Sequence, residues 1–416
     1  MQTLLKDFSD FDYKNLNNQV VIFGAGTIGR LTDLALKKNG IKSNIFVDSD
    51  PRKQGKEIQS KKIISPDELK KFDTDSTHIF IACNYFSSIV PFLKKNDFTN
   101  FYKVTNILKK VDTYKLYNEI DMDMLFSKLL PLKLERNLAF YNEMCNKEDY
   151  ITNDKLVLKS IDVQITEKCS LKCKDCSNLM QYYKKPVDSD YDLLVNSMDK
   201  IMSSVDFIDE LRVLGGDPFM NKELNKIINK LVTYKNVGRI VVYTNARFIP
   251  KNQNLDYLKQ PRVILDITDY GEASAAAGKY VEFAKKEGIA YSVNQCNTWQ
   301  DCGRIIPNNK KTEKELEHQF NNCCNSDLVS LLHGKLYRCP FSANAHNLNA
   351  IPPNKADVVD LNDDNKTIDE IKKEIVLLHG NKKYLEACKH CNGRDHLAPK
   401  IKAAIQTRKP LPIPKY

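Results

Sequence analysis

Glu167-Lys-Cys169-Ser-Leu-Lys-Cys173-Lys-Asp-Cys176 places three cysteines in a C-x3-C-x2-C loop. Thiolates this close in sequence can converge on one iron–sulfur cluster, and a 4Fe–4S cube ordinarily takes four of them. Three protein ligands leave one iron open to a small molecule. Two plainer readings compete. Structural zinc closes with four Cys or His ligands, and no histidine falls in this loop. A disulfide framework is at odds with the three cysteines of this loop, an odd number, and with an N-terminus, Met-Gln-Thr-Leu-Leu-Lys-Asp-Phe, that has no signal-peptide core.

Working outward, the loop follows a run in which Ile161, Val163 and Ile165 alternate with Asp162 and Gln164, the pattern of a strand. Further strands are predicted at Leu211–Leu214, Arg239–Thr244, Val263–Ile267 and Tyr291–Asn294. Between them Leu194, Met198, Ile201, Met202 and Val205, then Leu224, Ile227, Ile228 and Leu231, recur at helical spacing and read as core. Three of these strands end in polar segments: Gly215-Gly216-Asp217-Pro218, Thr244-Asn245, and Asp266-Ile-Thr-Asp-Tyr-Gly271. Alone, the glycine pair is a turn whose backbone can approach a ligand closely. Together with the cysteine loop these segments form a constellation, because catalytic groups gather at the carboxyl ends of parallel strands.

This set of motifs resembles the radical S-adenosylmethionine (radical SAM) family. That family carries a C-x3-C-x2-C loop after its first barrel strand and a Gly-Gly-Glu-Pro-like segment after its second. Asp217 stands here in place of the usual Glu and keeps the carboxylate. The resemblance spans roughly residues 155–400 and implies a six-stranded partial (β/α)6 barrel. It implies a SAM-binding 4Fe–4S cluster on Cys169, Cys173 and Cys176, which are then both metal ligands and catalytic residues. SAM would chelate the open iron. Gly215, Gly216, Asp217 and Pro218 would meet its amino group, with Thr244, Asn245 and Asp266 around the remainder. The implied chemistry is reductive cleavage of SAM to a 5′-deoxyadenosyl radical, followed by hydrogen-atom abstraction from a substrate carbon. An electron donor such as flavodoxin or ferredoxin is the implied protein partner.

A second cysteine set lies downstream: Cys324, then Gly334 and Cys339, then Cys388-Lys-His-Cys391. Four thiolates would close a second 4Fe–4S cluster, with a four-cysteine zinc site as the alternative. Cys323 fits the spacing as well as Cys324 does. The arrangement resembles the twitch form of the SPASM-type auxiliary-cluster domain. No cysteine follows Cys391, so one auxiliary cluster is implied. Cys83, Cys145, Cys296 and Cys302 read as buried structural thiols, the last two following the late barrel strand and so near the substrate.

Residues 1–112 read as a separate α/β module with strands at Val20–Phe23, Asn44–Val47, His78–Ala82 and Phe101–Val104. Gly24, Gly26 and Gly29 form a G-x-G-x-x-G turn between strand and helix, and Asp48 ends the next strand. That is the dinucleotide fingerprint in its expected setting, with a nucleotide or NAD as the predicted ligand. The module also resembles small Rossmann-like modules attached to sugar-modifying and polysaccharide-synthesis enzymes.

Composition sets the outer limits. Of 416 residues, 42% are hydrophobic and 28% charged, as in a soluble globular protein of two or three domains. No apolar run approaches the ~20 residues of a membrane helix, so no membrane partner and a cytoplasmic location are expected. The net charge of +10 is spread through lysine-rich helices, which fits a solvated surface better than nucleic-acid binding. The expected order is a Rossmann-like nucleotide-binding module (1–112), a helical connector (113–154), a radical SAM partial barrel (155–310), a twitch-like auxiliary-cluster domain (311–400) and a tail (401–416) whose Pro-punctuated end, Lys409–Tyr416, is expected to be extended and mobile. The sugar-associated module and the auxiliary cysteines point to a sugar, nucleotide-sugar or polyol substrate, oxidised or epimerised at a carbinol carbon. A peptide-modifying maturase is the alternative, and a non-catalytic Cys-rich metal-binding regulator a third.

Overall fold

Val21, Ile22 and Phe46 are fully buried because their strands are apolar on both faces, as parallel strands covered on each side must be. The computed structural model describes the chain except for residues 1–5, 12–18, 52, 84–85, 113–137, 139–140, 142–154, 251–253, 308–309, 326–327, 381–382, 396–398 and 415–416. The chain divides into two units, Met1–Lys155 and Leu156–Tyr416.

The first unit alternates strand and helix: β1 (Gln19–Phe23), α1 (Thr27–Lys38), β2 (Ile45–Val47), β3 (Glu57–Ile58), β4 (Lys61–Ile64), α2 (Pro66–Leu69), β5 (Thr77–Ile81), α3 (Phe86–Lys95), β6 (Phe101–Lys103) and α4 (Thr105–Lys109). Its sheet order is β3-β4-β2-β1-β5-β6. All pairs are parallel except β3 with β4. The predicted connector, with Cys145, falls almost wholly outside the described residues. Within it, the Tyr141 hydroxyl donates to the Ile81 carbonyl at 2.6 Å and accepts from the Val104 amide at 2.9 Å.

The second unit begins with β7 (Val157–Thr166), α5 (Tyr191–Ser204), β8 (Phe207–Gly215), α6 (Leu224–Leu231), β9 (Val237–Thr244), β10 (Val263–Asp269), α7 (Ala277–Lys286) and β11 (Tyr291–Gln295). It continues through β12 (Thr298–Gln300), α8 (Glu313–Asn321), β13 (Leu328–Leu332), β14 (Lys335–Tyr337), α9 (Pro340–Asn347), β15 (Val358–Asp360), α10 (Ile368–His379) and β16 (Lys400–Lys402). Eight strands form one sheet in the order β11-β10-β9-β8-β7-β13-β14-β15. The run from β11 to β13 is parallel, and β14 and β15 add antiparallel. The protein is thus mixed α/β with parallel sheets.

Ile161, Val163 and Ile165 are fully buried on one face of β7, and burying each such side chain contributes about 2 kcal/mol. A one-residue slip would put Asp162 and Gln164 into that apolar layer, so the register is strongly specified. The same alternation carries Asp162, Glu210, Arg212 and Tyr243 on the opposite face. Two features depart from the expected order. β13 was expected in a separate C-terminal domain but hydrogen-bonds β7, its five residues being buried throughout. β16, at the boundary expected between the auxiliary-cluster domain and the tail, pairs antiparallel with β12. Among the described residues no helix is long and apolar enough to cross a membrane.

Candidate active site

The cysteine loop leaves β7 at Thr166 and is locked to the glycine turn after β8. The Gly216 amide donates to the Thr166 carbonyl at 2.8 Å, and the Asp217 amide to the Lys168 carbonyl at 2.9 Å. A Cβ on Gly215 would stand 2.1 Å from the Thr166 carbonyl oxygen, and one on Gly216 2.0 Å from that of Lys168. Glycine is therefore required here, and the close approach is to the backbone of the cysteine loop itself.

Asp217 braces this junction. Its carboxylate accepts from the Thr244 hydroxyl and the Asn245 amide, both at 3.0 Å, and from the Phe219 amide at 3.1 Å. Burial pushes its pKa up to about 6, with those three hydrogen bonds pulling the other way. Pro218 opens the short turn that follows. Asn245 then reaches back: its Nδ2 donates to the Cys169 sulfur at 3.4 Å, and its Oδ1 accepts from Ser170 at 3.2 Å. From the far end of the chain, Gln406 Nε2 donates to the Cys173 sulfur at 3.2 Å.

Cys169, Cys173 and Cys176 pack with Leu171, Tyr270, Trp299 and Ala404. Burial raises all three thiols, Cys173 to about 12, and each of Cys169 and Cys173 is raised further by its neighbouring thiols. Buried thiolates crowded together require positive charge among them, which the irons of a cluster supply. The donor set therefore fits the SAM-site 4Fe–4S cluster, with sulfur-directed amides from Asn245 and Gln406 completing its surroundings.

Beside this loop, the polar face of the sheet forms a charged surface. Arg212 Nε lies 3.3 Å from Asp162 and 4.0 Å from Glu210, with its guanidinium 5.1 Å from the Tyr243 ring centre. Arg239 pairs with Glu210 at 2.6 Å. The buried Asp266 carboxylate accepts from Ser292 at 2.7 Å and from Asn294 at 2.7 and 2.9 Å. It is thus held within its own strand pair. Asp162 Oδ1 has no hydrogen-bond partner, and burial lifts the Asp162 carboxyl to about 6 against the pull of Arg212 and Arg394. Charges inside otherwise apolar strands were the sequence signal for this surface.

The second cysteine set converges on one cavity. It is lined by Cys302, Cys323, Cys339, Cys388 and Cys391, with Ser177, Asn325, Phe341 and Arg394. Burial raises every one of these thiols, Cys302 to about 11 and Cys388 to about 12. Cys324 does not line the cavity: it is exposed, while its neighbour Cys323 is turned inward. Cys302, which the spacing does not single out, joins the group. Ser177, directly after Cys176, lines the cavity too, so the two thiol sets share a wall. Cys296 lies instead near the first set, its sulfur 3.6 Å from the Thr298 carbonyl and within the electrostatic reach of Tyr270. Among the described residues no group of His, Cys, Asp and Glu is arranged to hold a single metal ion.

In the first unit, Gly24, Gly26 and Gly29 make the expected turn from β1 into α1. Asp48 braces that turn: its carboxylate accepts from the Ala25 amide and Lys53 Nζ, both at 2.8 Å, and from the Asp50 amide at 2.9 Å. A Cβ on Gly29 would lie 1.8 Å from the Gly24 carbonyl oxygen, so this glycine serves close packing within the turn.

Residues 16–97 match the family described as C2185-like, N-terminal, and residues 162–287 match the 4Fe-4S single cluster domain. The chain is 24% identical over 141 residues to a GTP 3',8-cyclase of Campylobacter jejuni subsp. doylei, an alignment covering 32% of this chain and 42% of that protein. It thus spans less than half the length of the curated relatives it matches. Among solved structures, BtrN in complex with AdoMet and 2-DOIA aligns at 18% identity and a TM-score of 0.39, covering 57% of this chain and 93% of that one. Streptococcus suis SuiB bound to precursor peptide SuiA aligns at 12% identity and a TM-score of 0.27, covering 73% and 82%. The 4Fe–4S match over the cysteine loop, with the motif set around it, supports a radical SAM enzyme whose cofactors are a 4Fe–4S cluster and S-adenosylmethionine.

Proposed function

We propose that this chain is a radical SAM enzyme that abstracts a hydrogen atom from a carbinol carbon of a sugar, nucleotide-sugar or polyol and oxidises it to a ketone. The observation that carries this reading is the polar sheet face beside the cysteine loop. Asp162, Glu210, Arg212, Arg239 and Tyr243, paired among themselves, present a polar face whose remaining donors and acceptors suit a polyhydroxylated substrate better than an apolar one.

Cys169, Cys173 and Cys176 would hold the SAM-site cluster, and Cys323, Cys339, Cys388 and Cys391 an auxiliary one. When bound, the first cluster with SAM supplies a 5′-deoxyadenosyl radical by one-electron cleavage, and the second supplies a one-electron acceptor. The remaining work belongs to the chain. Asp217, Thr244 and Asn245 hold the glycine turn against the cysteine loop. Tyr270 and Trp299 pack on that loop, their rings 5.4 Å apart, and exclude water from it. Asp162, whose Oδ1 is ion-paired with Arg212 at 3.3 Å and whose carboxyl is lifted by burial to about 6, is placed to take the hydroxyl proton of the carbon being oxidised. The nucleotide or NAD expected at the first unit remains part of this proposal as a separate, non-catalytic ligand.

Epimerisation is the second reading, favoured by Cys296. Its half-buried thiol beside Tyr270 and Trp299 is suited to return a hydrogen to the carbon. Deuterium placed at each carbon of a candidate sugar in turn tests both. Label in 5′-deoxyadenosine from one position, with a ketone product, supports oxidation. Solvent deuterium in an unoxidised product supports epimerisation. If no sugar carbon ever yields label, the substrate class is wrong.

A further inference from the structure

Among the described residues, Arg394 is the only charged side chain lining the cavity shared by Cys302, Cys323, Cys339, Cys388 and Cys391. One Nη1 hydrogen goes to Asn325 Oδ1 at 3.3 Å, and its Nε is buried with no hydrogen-bond partner. An arginine cannot shed its proton in a protein, so this charge must be met by something in the cavity. Around it the cavity wall is largely sulfur, from Cys302, Cys323, Cys339, Cys388 and Cys391, and the Cys324 amide donates to the Arg394 carbonyl at 3.1 Å. Arg394 thus lines the same cavity as Ser177, the residue directly after Cys176.

We propose that Arg394 is a positioning residue that sets the reduction potential of the auxiliary site and so makes it the electron acceptor of the reaction. The proposal rests on the auxiliary-cluster reading given above. Four thiolates make a bound 4Fe–4S cluster anionic, and reduction adds a further negative charge. A fixed cation stabilises the reduced state more than the oxidised one, and donors to sulfur act the same way. In the oxidation itself, the carbinol carbon first loses a hydrogen atom to the 5′-deoxyadenosyl radical. The resulting carbon radical would lose one electron, for which a cluster held by Cys323, Cys339, Cys388 and Cys391 would be the acceptor, and would give its hydroxyl proton to a carboxylate as the C–O bond becomes C=O.

The test uses the full-length chain, reconstituted anaerobically, with Cys169, Cys173 and Cys176 all changed to Ala so that only the auxiliary site reports. Iron and sulfide are counted, and the potential is titrated by electron paramagnetic resonance for Arg394, Arg394→Lys and Arg394→Gln. The expected result is about four irons per chain in all three, with Arg394→Gln needing a poise at least tenfold more reducing in electron activity, or about 59 mV. Arg394→Lys should recover most of that shift. An unchanged potential in a fully loaded Arg394→Gln overturns the proposal and leaves the auxiliary cluster intact. Loss of iron in Arg394→Gln alone also overturns it, assigning the residue to assembly. Absence of iron from the parent overturns the auxiliary-cluster reading itself.

Discussion

The side-chain amide of Gln406 donates to the sulfur of Cys173 at 3.2 Å, joining residues 233 apart in the chain. The same side chain accepts from the Lys172 amide at 2.7 Å, and the Ile405 carbonyl accepts from the Lys174 amide at 2.6 Å. The chain end thus closes over the cysteine loop and satisfies backbone groups that the loop alone leaves open. Donors to a ligand sulfur raise a cluster's potential. Gln406→Leu should lower the potential of the SAM-site cluster and cost about 1 kcal/mol of stability. Redox titration and urea unfolding of the reconstituted chain measure the two effects; an unaltered potential would show that the contact is structural only.

How much of this was legible beforehand follows from the range of each interaction. Cys169, Cys173 and Cys176 could be grouped from spacing because one loop holds all three. The strands β8 to β11 could be placed because period-2 alternation is local. Gln406 could not be linked to Cys173, since nothing in Pro-punctuated tail sequence marks a long-range partner. Cys323 and Cys324 differ in which way a turn points them, and that turn is held by long- and short-range backbone bonds, the Cys323 amide to the Phe320 carbonyl at 3.2 Å and the Cys324 amide to the Arg394 carbonyl at 3.1 Å. Asp48 shows the same limit: the fingerprint placed it correctly at the end of β2, yet its carboxylate is engaged by Ala25 and Lys53.

The inward turn of Cys323 makes a clear expectation for the auxiliary site. Cys323→Ala should reduce iron from about eight to about four per chain. Cys324→Ala should leave it near eight. Cys302→Ala should also retain both clusters, because the proposed ligands are Cys323, Cys339, Cys388 and Cys391. Iron and labile-sulfide assays on the three reconstituted variants decide this. Iron lost with Cys324 and kept without Cys323 would reverse the ligand assignment.

Gly216 offers a test of the junction between the two motif loops. A methyl group there would stand 2.0 Å from the Lys168 carbonyl oxygen and 2.9 Å from the Cys169 amide nitrogen. Both are backbone atoms, so no side chain can swing away. Gly216→Ala should displace the turn from the cysteine loop, cost roughly 3 kcal/mol and lower retention of the SAM-site cluster. Gly278→Ala is the control, since nothing lies within 4 Å of a Cβ there. Equal iron content and equal melting temperature in the two variants would contradict the tight packing.

Asp209 gives the second unit a pH-dependent weakness. It lies on β8 between Ile208 and Glu210, 1% exposed, and neither carboxyl oxygen has a hydrogen-bond partner. Burial pushes its pKa from 3.8 up to about 8, with Arg239 pulling it partly back. The folded state therefore keeps this proton over a range in which the unfolded chain has released it. Stability contributed by the protonated form is complete below about pH 4, falls as pH rises, and is gone above about pH 8. At about 1.4 kcal/mol per pH unit, the loss is on the order of 5 kcal/mol over that window. Asp209→Asn keeps the shape without the ionisation, so its advantage over the wild type should grow steadily from acid to mildly alkaline conditions. Unfolding both proteins in urea at several pH values measures that difference directly. Parallel stability profiles would mean that Asp209 is solvated or paired in solution.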